Sequence, residues 1–477
     1  MKAVAAVDLG ATSGRVIVGY VGHAELRLRH VARFPNQPVR THEGESSALH
    51  WNILELHRSL TVGLESALRE EPGVVSIGVD SWAVDYALLR AGRMLGGPYH
   101  YRDARTERGV ADVHARITAE ELYQRNGLQH LPFNTLFQLA AERDVVDLAD
   151  QVLLVPDLIG YWLTGVAATE MTNASTTGML DPRTRAWDDE LLRRIEVPRG
   201  ILSPLIEPGE RLGPLLPSVA AELGAPQGLG VVAVGSHDTA SAIVAVPSTG
   251  DHVAYISSGT WSLVGLELDA PVISRESRVA NFTNEGGVDG RVRFLKNVSG
   301  LWLLSESIRT WEKQTGEIID LTGLLGEAAG IRGPVPTIDA ADERFVAPGD
   351  IPGRIVAWCV EHERQPPRTR AEFVRCILES LAEAYSATLE QASALSGVRI
   401  DAVHIVGGGS QNELLCQLTA DRTGRTVLAG PVEATAIGNI LVQARSQGLV
   451  SGSLESLREL VARSHPPVRY LPRASTR

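Results

Sequence analysis

Apolar residues along this chain are gathered in short runs that end at polar or glycine-rich turns. The runs VAAVD and VIVGYV flank the turn LGATSGR, and this arrangement predicts a β-hairpin over residues 4–21. Residues 51–69 repeat apolar side chains at helical spacing. The run VVSIGVD follows and predicts a strand that ends at Asp80. The chain therefore opens with a hairpin, a helix and a buried strand that carries a carboxylate at its end.

The same series returns in the second half of the chain. The runs VAYIS and WSLVGLEL around the turn SGT predict another hairpin, and AVHIVGGG predicts a buried strand that ends in three glycines. Between the two series, residues 105–230 are predicted to be helical and rich in loops, and a strand at GVVAVG and a helix at ASAIVAV follow them. A long helix is predicted before AVHIVGGG, with an apolar face formed by Phe373, Ile377, Leu381, Tyr385 and Leu389.

This repetition favours an α/β fold made of two similar domains. The length of 477 residues supports it, because a single compact core rarely grows so large. We place the boundary near residue 246, which gives domains at 1–246 and 247–477 with insertions of unequal length. A cleft between two such domains is a common place for a small-molecule site.

Composition and charge narrow the class of protein. The chain is 44% hydrophobic and 21% charged, as is usual for a globular protein, and no apolar run is long enough to span a membrane. The formal net charge of −12 argues against a general nucleic-acid binder, which usually presents a basic patch. The start of the chain lacks the long apolar region of a secretory signal, so we expect a cytoplasmic protein. Its three cysteines follow no metal-binding spacing, and the sequence leaves open whether Cys359 and Cys376 pair.

The turn DLGATSGR has the components of a phosphate-binding loop. Successive backbone N–H groups can surround an anion, while Thr12 and Ser13 add hydroxyl donors and Arg15 adds a planar fork. Asp8, at the end of the strand, could hold Mg²⁺ through water, because that ion keeps part of its hydration shell. A polar hairpin turn with a surface arginine is an equally open alternative for this stretch.

Two further stretches carry related chemistry. The turn over residues 257–260 repeats the pattern, and Thr260 could donate to a phosphate. The glycines at 407–409 suit a flat ligand against the main chain, although a flexible connection explains them equally well. Gly438, in a helix predicted from about Thr435, could let an adenine approach or another helix pack closely. Two such turns, each opening one half of the chain, favour a nucleoside triphosphate as a ligand.

The stretch DSWAVDY combines carboxylates with an indole after the strand that ends at Asp80. Such a set suits a polyol, because Asp85 could accept hydroxyl protons and Trp82 could cover a C–H face. The alternative is that the indole packs in the core and the acids stabilise a turn. Asn297 could likewise contact a substrate or cap a helix.

The stretch GSHDTASA places a histidine and an aspartate among small residues. Asp238 stands near the start of a predicted helix, where an acid can simply cap the N-terminus. It could also be the general base that accepts a hydroxyl proton during phosphoryl transfer. His237 could then bind the substrate and Thr239 could orient it. The two roles of the aspartate are compatible, because a helix start can hold a catalytic acid in place.

In their order along the chain, these motifs resemble the FGGY carbohydrate kinases, within the superfamily of sugar kinases, heat-shock cognate proteins and actin. The resemblance runs from residue 4 to about 450 and includes YRDARTE, NVSGLWLL and the stretch that begins IVGGGSQNELL. It implies two actin-like, ribonuclease H-like domains with a catalytic cleft between them, and the use of ATP with Mg²⁺.

By position, the resemblance implies roles for individual residues. Asp238 is the proton acceptor. Nucleotide contact falls on Ala11, Thr12, Ser13, Gly14, Arg15, Thr260, Ser305 and Gly408. Sugar contact falls on Ala83, His237, Thr239 and Asn297. Ala83 and Ser305 depart from the related proteins, in which glycine and a longer glutamine are usual.

Within the family, the motifs are most similar to the branch that acts on L-rhamnulose. The resemblance therefore implies an ATP-dependent kinase that converts L-rhamnulose to L-rhamnulose 1-phosphate at the C1 hydroxyl, in L-rhamnose catabolism, as a monomer or homodimer. Another ketose, of the L-fuculose or xylulose type, is the nearest alternative substrate. A catalytically silent sensor of sugar or nucleotide is the other alternative, which the retained Asp8 and Asp238 disfavour.

Overall fold

A computed structural model describes residues 2–22, 25–44, 46–248 and 254–473. The chain divides into two compact units, each assembled from separate parts of the sequence. Unit 1 contains Met1–Asp251, Glu267–Phe294 and Glu433–Pro466. Unit 2 contains His252–Leu266, Leu295–Val432 and Pro467–Arg477. The expected α/β fold with two domains is confirmed.

The strands and helices of the described residues alternate along the chain. The strands are β1 (Ala3–Leu9), β2 (Ser13–Val21), β3 (Leu26–Pro35), β4 (Pro38–Glu43), β5 (Ser46–Trp51), β6 (Val74–Ser81), β7 (Tyr86–Arg90), β8 (Arg93–Met94), β9 (Gln151–Leu154), β10 (Thr169–Glu170), β11 (Leu180–Asp181), β12 (Ala186–Trp187), β13 (Leu205–Ile206), β14 (Arg211–Pro214), β15 (Gly230–Val232), β16 (Ala254–Ser258), β17 (Trp261–Leu268), β18 (Thr283–Gly286), β19 (Val292–Ser299), β20 (Ala402–Val406), β21 (Thr426–Ala429) and β22 (Val468–Tyr470). The helices are α1 (Ile53–Glu70), α2 (Thr106–His114), α3 (Ala119–Asn126), α4 (Thr135–Ala141), α5 (Arg143–Val146), α6 (Val155–Thr164), α7 (Met171–Ala174), α8 (Asp189–Arg194), α9 (Pro217–Glu222), α10 (Asp238–Val244), α11 (Arg275–Val279), α12 (Trp302–Thr315), α13 (Leu321–Gly330), α14 (Ile351–Glu361), α15 (Arg370–Ser396), α16 (Glu413–Thr423), α17 (Ala434–Ser446) and α18 (Leu454–Ser464).

Unit 1 contains a six-stranded sheet in the order β14-β15-β6-β1-β2-β3. Strand β1 pairs antiparallel with β2 and parallel with β6, so Asp8 lies opposite Arg15 on one side and Asp80 on the other. Helix α1 buries Leu56, Leu60 and Leu64 in the core of this sheet, as its helical spacing predicts. The sheet thereby gathers polar side chains at the carboxyl ends of two parallel strands.

Helix α17 belongs to unit 1 and is held to the sheet by a chain of amides. Gln443 Nε2 donates to the carbonyl of Ala5 at 3.1 Å and to Asn439 Oδ1 at 2.6 Å. Asn439 Nδ2 in turn donates to Asp80 Oδ2 at 2.6 Å. Ser76 Oγ completes the chain by donating to Gln443 Oε1 at 2.7 Å. These bonds fix the helix against β1 and β6, beside the strand ends.

Unit 2 contains a second sheet that begins with the predicted hairpin. Strand β16 pairs antiparallel with β17 and parallel with β20, and β20 pairs parallel with β21. The long predicted helix is α15, which ends at Gly397 in a left-handed conformation. On its predicted apolar face Ile377, Leu381, Tyr385 and Leu389 are buried, and Phe373 is half-buried.

All three cysteines are free and buried, so Cys359 and Cys376 do not form a disulfide. Among the described residues no helix is both long and apolar enough to cross a membrane.

Candidate active site

Three aspartates meet at the strand ends of unit 1. Asp8 lies one residue before the end of β1 and is buried, Asp80 lies one residue before the end of β6 and is fully buried, and both interact electrostatically with Asp238. Burial raises the pKa of Asp8 to about 6; the charge of Arg15 opposes this shift, and the carboxylates of Asp238 and Glu433 add to it. Burial and the charge of Asp8 raise the pKa of Asp80 well above its ordinary value. Among the described residues, the cluster thus has more acids than its one arginine balances.

That cation is Arg15, which is ion-paired within the cluster. Its Nε lies 3.5 Å from Asp8 Oδ2, and its Nη1 contacts Glu433 Oε2. The guanidinium of Arg15, which the sequence analysis predicts to bind phosphate, is therefore partly occupied by protein carboxylates. Glu433 immediately precedes α17, so the helix that binds Asp80 also supplies this carboxylate.

The loop between β1 and β2 is a tight turn with an exposed tip. Gly10 N donates to the carbonyl of Ser13 at 3.0 Å, and Asn36 Nδ2 donates to the carbonyl of Gly10 at 2.9 Å. Ala11 is half-buried and Thr12 is exposed. Gly14 is required by packing, because a Cβ there would lie 2.6 Å from the ring of Phe34. The turn is thus held from behind and leaves its tip open to a ligand.

The donor set fits a hydrated Mg²⁺ ion. Oδ1 of Asp80 is buried and has no hydrogen-bond partner among the described residues, and it lies in the same cluster as Asp8. No three His, Cys, Asp or Glu side chains of the described ranges are arranged to ligate a metal by themselves. Mg²⁺ commonly keeps several waters and binds one or two carboxylates together with substrate phosphates. The surplus of carboxylates beside the exposed turn between β1 and β2 therefore suits a hydrated Mg²⁺ ion.

Asp238 is the first residue of α10, and the preceding His237 is the N-cap. Its Oδ1 accepts from Thr239 N at 2.6 Å and from Thr239 Oγ1 at 3.2 Å, and lies 3.4 Å from His237 Nε2. Among the described residues, no protein donor is recorded for Oδ2. The side chain is 30% exposed, whereas that of His237 is 7% exposed. One oxygen is therefore fixed by the protein and the other is available to a substrate.

A buried carboxylate holds the backbone that leads into α10. Glu170 Oε2 accepts from Ser236 N at 3.0 Å and from Ser236 Oγ at 2.8 Å. The same side chain caps α7 by accepting from Thr172 N at 2.8 Å, and Thr172 Oγ1 accepts from His237 N at 3.3 Å. Burial raises the pKa of Glu170, although these donors oppose the shift. The position of His237 and Asp238 is thus set by α7 as well as by α10.

Asp85 anchors two indoles in unit 1. Its Oδ2 accepts from Trp51 Nε1 at 2.6 Å, from Trp82 Nε1 at 3.0 Å and from Tyr101 N at 3.2 Å, and its Oδ1 accepts from Gln138 Nε2 at 2.8 Å. Burial raises the pKa of this carboxyl to about 6 despite these donors. The rings of Trp51 and Trp82 are tilted, with centroids 4.1 Å apart. Four protein donors occupy Asp85, so in this structure it positions aromatic rings.

The turn between Trp82 and Asp85 is strained. Val84 has φ of +67°, a left-handed conformation that a β-branched residue rarely adopts. The turn is held because Thr135 Oγ1 donates to the carbonyl of Val84 at 2.7 Å. Ala83 precedes this residue and is only half-buried, whereas Trp82 is buried. Strain of this kind persists where surrounding contacts enforce it and is frequent at ligand sites.

In unit 2, Thr260 lies in the turn between β16 and β17. Gly259 N donates to the carbonyl of Trp261 at 2.9 Å, and Leu301 N donates to the carbonyl of Gly259 at the same distance. A Cβ at Gly300 would lie 2.7 Å from the carbonyl oxygen of Thr260. The segment that precedes α12 can therefore pack against this turn only because residue 300 is glycine. Thr260 itself is half-buried.

The three glycines after β20 have separate roles. Gly407 has φ of +82°, which favours glycine. A Cβ at Gly409 would lie 3.2 Å from the carbonyl oxygen of Ser258 and closer still to its side chain. Gly408 is exposed, and a Cβ there would meet no described atom within 4 Å. Backbone conformation therefore explains Gly407 and packing explains Gly409, whereas Gly408 faces open space.

The two remaining predicted residues of unit 2 lie on other elements. Asn297 is half-buried on β19, and Ser305 is exposed on α12. The structure thus gathers Asp8, Arg15, His237, Asp238 and Thr239 within unit 1. In unit 2, Ser258, which lies two residues before Thr260, packs against Gly407 and Gly409.

Sequence reasoning missed several residues that build these sites. They are Trp51, Glu170, Glu285, Arg293 and Glu433. Each contacts a site residue that is distant along the chain, as Arg15 and Glu433 are separated by 418 positions. The one local signal is a charged residue inside an apolar strand run, as for Arg293 in VRFL.

Comparisons with known proteins identify the family of the chain. The model of the N-terminal domain of the FGGY family of carbohydrate kinases matches residues 3–245, and the model of the C-terminal domain matches residues 254–447. A rhamnulokinase of Bacteroides thetaiotaomicron is 40% identical over 474 residues, covering 98% of this chain and 95% of the relative. A rhamnulokinase of Pectobacterium carotovorum is 42% identical over 487 residues, covering 100% of this chain and 94% of the relative.

Solved structures agree at the level of the fold. A ligand-bound xylulose kinase from Lactobacillus acidophilus superimposes with a TM-score of 0.79, covering 99% of this chain and 94% of that chain. Its sequence is 16% identical, so this likeness concerns architecture and carries no information on the sugar.

Proposed function

The chain belongs to the FGGY family of carbohydrate kinases, and from this premise we propose that it transfers the γ-phosphoryl group of ATP to the C1 hydroxyl of L-rhamnulose. The product is L-rhamnulose 1-phosphate, an intermediate of L-rhamnose catabolism. One observation carries the choice of sugar: relatives named rhamnulokinase are similar at about 40% identity along nearly the whole chain.

Asp238 accepts the proton of the attacking hydroxyl. Its Oδ1 is held by Thr239 and faces His237, and Oδ2 has no recorded donor among the described residues. A hydroxyl at Oδ2 would lose its proton as its oxygen attacks the γ-phosphate, while the ADP oxygen leaves on the opposite side. The helix start fixes the direction of this carboxylate, so the reaction needs no rearrangement of the base.

The turn after β1 and the acids beside it handle the triphosphate. The backbone of Ala11–Gly14 and the hydroxyls of Thr12 and Ser13 bind phosphate oxygens, and Arg15 supplies positive charge while it stays paired with Asp8 and Glu433. Asp8 would hold Mg²⁺ through water. When bound, the ion supplies neutralisation of the phosphate charge.

The remaining residues fix the two substrates. His237, Thr239, Ala83, Trp82 and Asn297 form the sugar contacts, with Asp85 as the acceptor that holds the indole. Thr260 binds phosphate, and the nucleotide lies against the open backbone of Gly408 near Ser305.

Three further expectations concern the domain boundary, the cellular location and the partners of the protein. The division of the chain at residue 246 is supported by the two family models, which match 3–245 and 254–447. We expect a cytoplasmic enzyme, in keeping with three unpaired cysteines. We also expect a monomer or homodimer that binds only small molecules, since a net charge of −12 suits neither nucleic acid nor an anionic surface.

A panel of ketoses tests the substrate. Purified protein with ATP and Mg²⁺ is assayed for ADP release with L-rhamnulose, L-fuculose and xylulose, and the sugars are ranked by kcat/KM. We expect L-rhamnulose to rank first, with ³¹P NMR placing the phosphate on C1. A higher rank for another ketose would reject the sugar and keep the reaction. Binding of sugar or nucleotide without turnover would instead support a sensor.

A further inference from the structure

A buried ion pair lies behind the ring of His237. Arg293 on β19 is fully buried, with 0% of its side chain exposed, and Glu285 on β18 is 7% exposed. Arg293 Nη1 lies 3.1 Å from Glu285 Oε2, and Arg293 Nε donates to the carbonyl of Gly286 at 2.9 Å. A charge so far from water is expensive unless it is paired, and a pair beside a functional ring calls for an explanation.

Both members of the pair face the same nitrogen of His237. Arg293 Nη2 lies 3.1 Å from His237 Nδ1 with hydrogen-bond geometry. Glu285 Oε2 lies 3.3 Å from the same Nδ1, but its contacts with the ring and with Nη1 lack the angles of a hydrogen bond. Although burial opposes it, the charge of Arg293 holds the pKa of Glu285 below its ordinary value. The carboxylate therefore acts through its charge and the guanidinium through a directed bond.

This bond decides where the imidazole proton resides. A guanidinium has donors and no acceptor, so it can bond Nδ1 only if that nitrogen keeps its lone pair. A neutral ring then carries its proton on Nε2. Nε2 lies 3.4 Å from Asp238 Oδ1, so the N–H faces a carboxylate oxygen. The opposite tautomer would set two acceptors against each other at this position.

We propose that Arg293 is a positioning residue that fixes His237 as the Nε2–H tautomer, and that Glu285 is the counter-charge that keeps Arg293 buried there. The proton on Nε2 then lies on the side of the Asp238 carboxylate, 3.4 Å from Oδ1, where it interacts through charge, while Oδ1 accepts the two hydrogen bonds of Thr239. Oδ1 is occupied by these groups, and Oδ2 is the atom left to take the hydroxyl proton. This assignment rests on the proposed function only for its consequence in catalysis, since the tautomer exists without substrate.

The tautomer can be measured directly in the intact enzyme. The full chain is prepared with ¹⁵N-labelled histidine, and two-bond ¹⁵N–¹H correlations report which ring nitrogen of each histidine is protonated. The chain has 13 histidines, so His237→Gln assigns the signal by its loss. We expect Nε2 of His237 to be protonated and Nδ1 to be bare. Protonation on Nδ1, or on both nitrogens, would overturn the proposal, whatever sugar the enzyme phosphorylates.

Variants connect the tautomer to the reaction. In Arg293→Met we expect the proton to move to Nδ1, beside Glu285, and kcat to fall by about 10- to 100-fold, with KM for ATP changed by less than about two-fold. Arg375 supplies a control, because its side chain is 18% exposed and its Nη2 lies 2.7 Å from Glu379 in an ion pair within unit 2. Arg375→Met should lose stability and keep both the tautomer and kcat. An equal loss of kcat in the two variants would reduce Arg293 to a structural role. If Arg293→Met does not fold, Arg293→Lys and the tautomer of the unmodified enzyme still decide the question.

Discussion

Replacing Gly438 by alanine should move the helix that carries Asp238. Gly438 lies on α17 and packs against Ser241, which is one turn after the start of α10. A Cβ at Gly438 would lie 2.5 Å from the carbonyl carbon and 3.1 Å from the Cα of Ser241, and nearer still to its oxygen. Carbon atoms pack best at about 3.5–4.0 Å, so the helices must separate by about 1 Å. The obstacle is backbone, which cannot rotate away as a side chain would.

The expected magnitude follows from two opposing terms. Forcing an extra methyl group into a packed interface costs about 1–3 kcal/mol, and the backbone contact sets this case near the upper end. The higher helix propensity of alanine offsets about 1 kcal/mol of this cost, because alanine stabilises a helix relative to glycine. We therefore expect Gly438→Ala to lower the free energy of unfolding by about 2 kcal/mol. Because a misplacement of about 1 Å can cost about 10²-fold in rate, kcat should fall by up to that factor.

Urea denaturation followed by circular dichroism gives the stability, and ADP release at saturating substrates gives kcat. Gly326 is the control: it is an exposed glycine in α13, where a Cβ would meet no described atom within 4 Å. Gly326→Ala should stabilise the protein by about 0.5–1 kcal/mol and leave kcat unchanged. If Gly438→Ala behaves in the same way, the packing of α17 does not hold α10 in place.

Further predictions concern pH and the nucleotide turn. Burial raises the pKa of Asp85 from an ordinary value of 3.8 to about 6 in the folded protein, so the stability that its protonated form contributes is complete below pH 4 and is lost as the pH rises through 6. Asp85→Asn should remove up to about 3 kcal/mol of this pH dependence in denaturation curves from pH 4 to 7, and an unchanged slope would reject the buried titration. Gly409→Ala should lower the denaturation midpoint because its methyl group would meet Ser258, whereas Gly408→Ala should fold normally and raise KM for ATP. Equal KM values for ATP in Gly408→Ala and the unmodified enzyme would show that the nucleotide does not contact the backbone of Gly408.

Local patterns predicted the elements well and the contacts between them poorly. The hairpin over residues 4–21 appears as β1 and β2, and the helix predicted over 51–69 is α1 at Ile53–Glu70. The helix predicted from about Thr435 begins at Ala434. Each of these rests on apolar periodicity or on turn residues, which act over a few positions. The packing of Gly438 against Ser241 decides between the two alternatives for that glycine, since its approach is to another helix.

The candidate site shows the limit of such reasoning. Carboxylates near an indole suggested a polyol site, but Asp85 accepts from Trp51, Trp82, Tyr101 and Gln138, and the indole of Trp51 comes from another strand. Arg293 was overlooked because its meaning depends on a partner 56 residues away. A sequence motif identifies the residue types that a reaction needs, and tertiary contacts decide which atoms remain free to perform it.

The central claim is that Oδ2 of Asp238 accepts the proton of the sugar hydroxyl, and Asp238→Asn tests it most directly. An asparagine can keep an oxygen toward Thr239 and His237, where Oδ1 is now held, and puts an amide nitrogen in place of Oδ2. The measurement is kcat for ADP release with ATP, Mg²⁺ and L-rhamnulose, alongside a denaturation curve that verifies folding. We predict a loss of about 10²–10⁴-fold in kcat with unchanged stability. Turnover close to that of the unmodified enzyme would show that another group takes the proton.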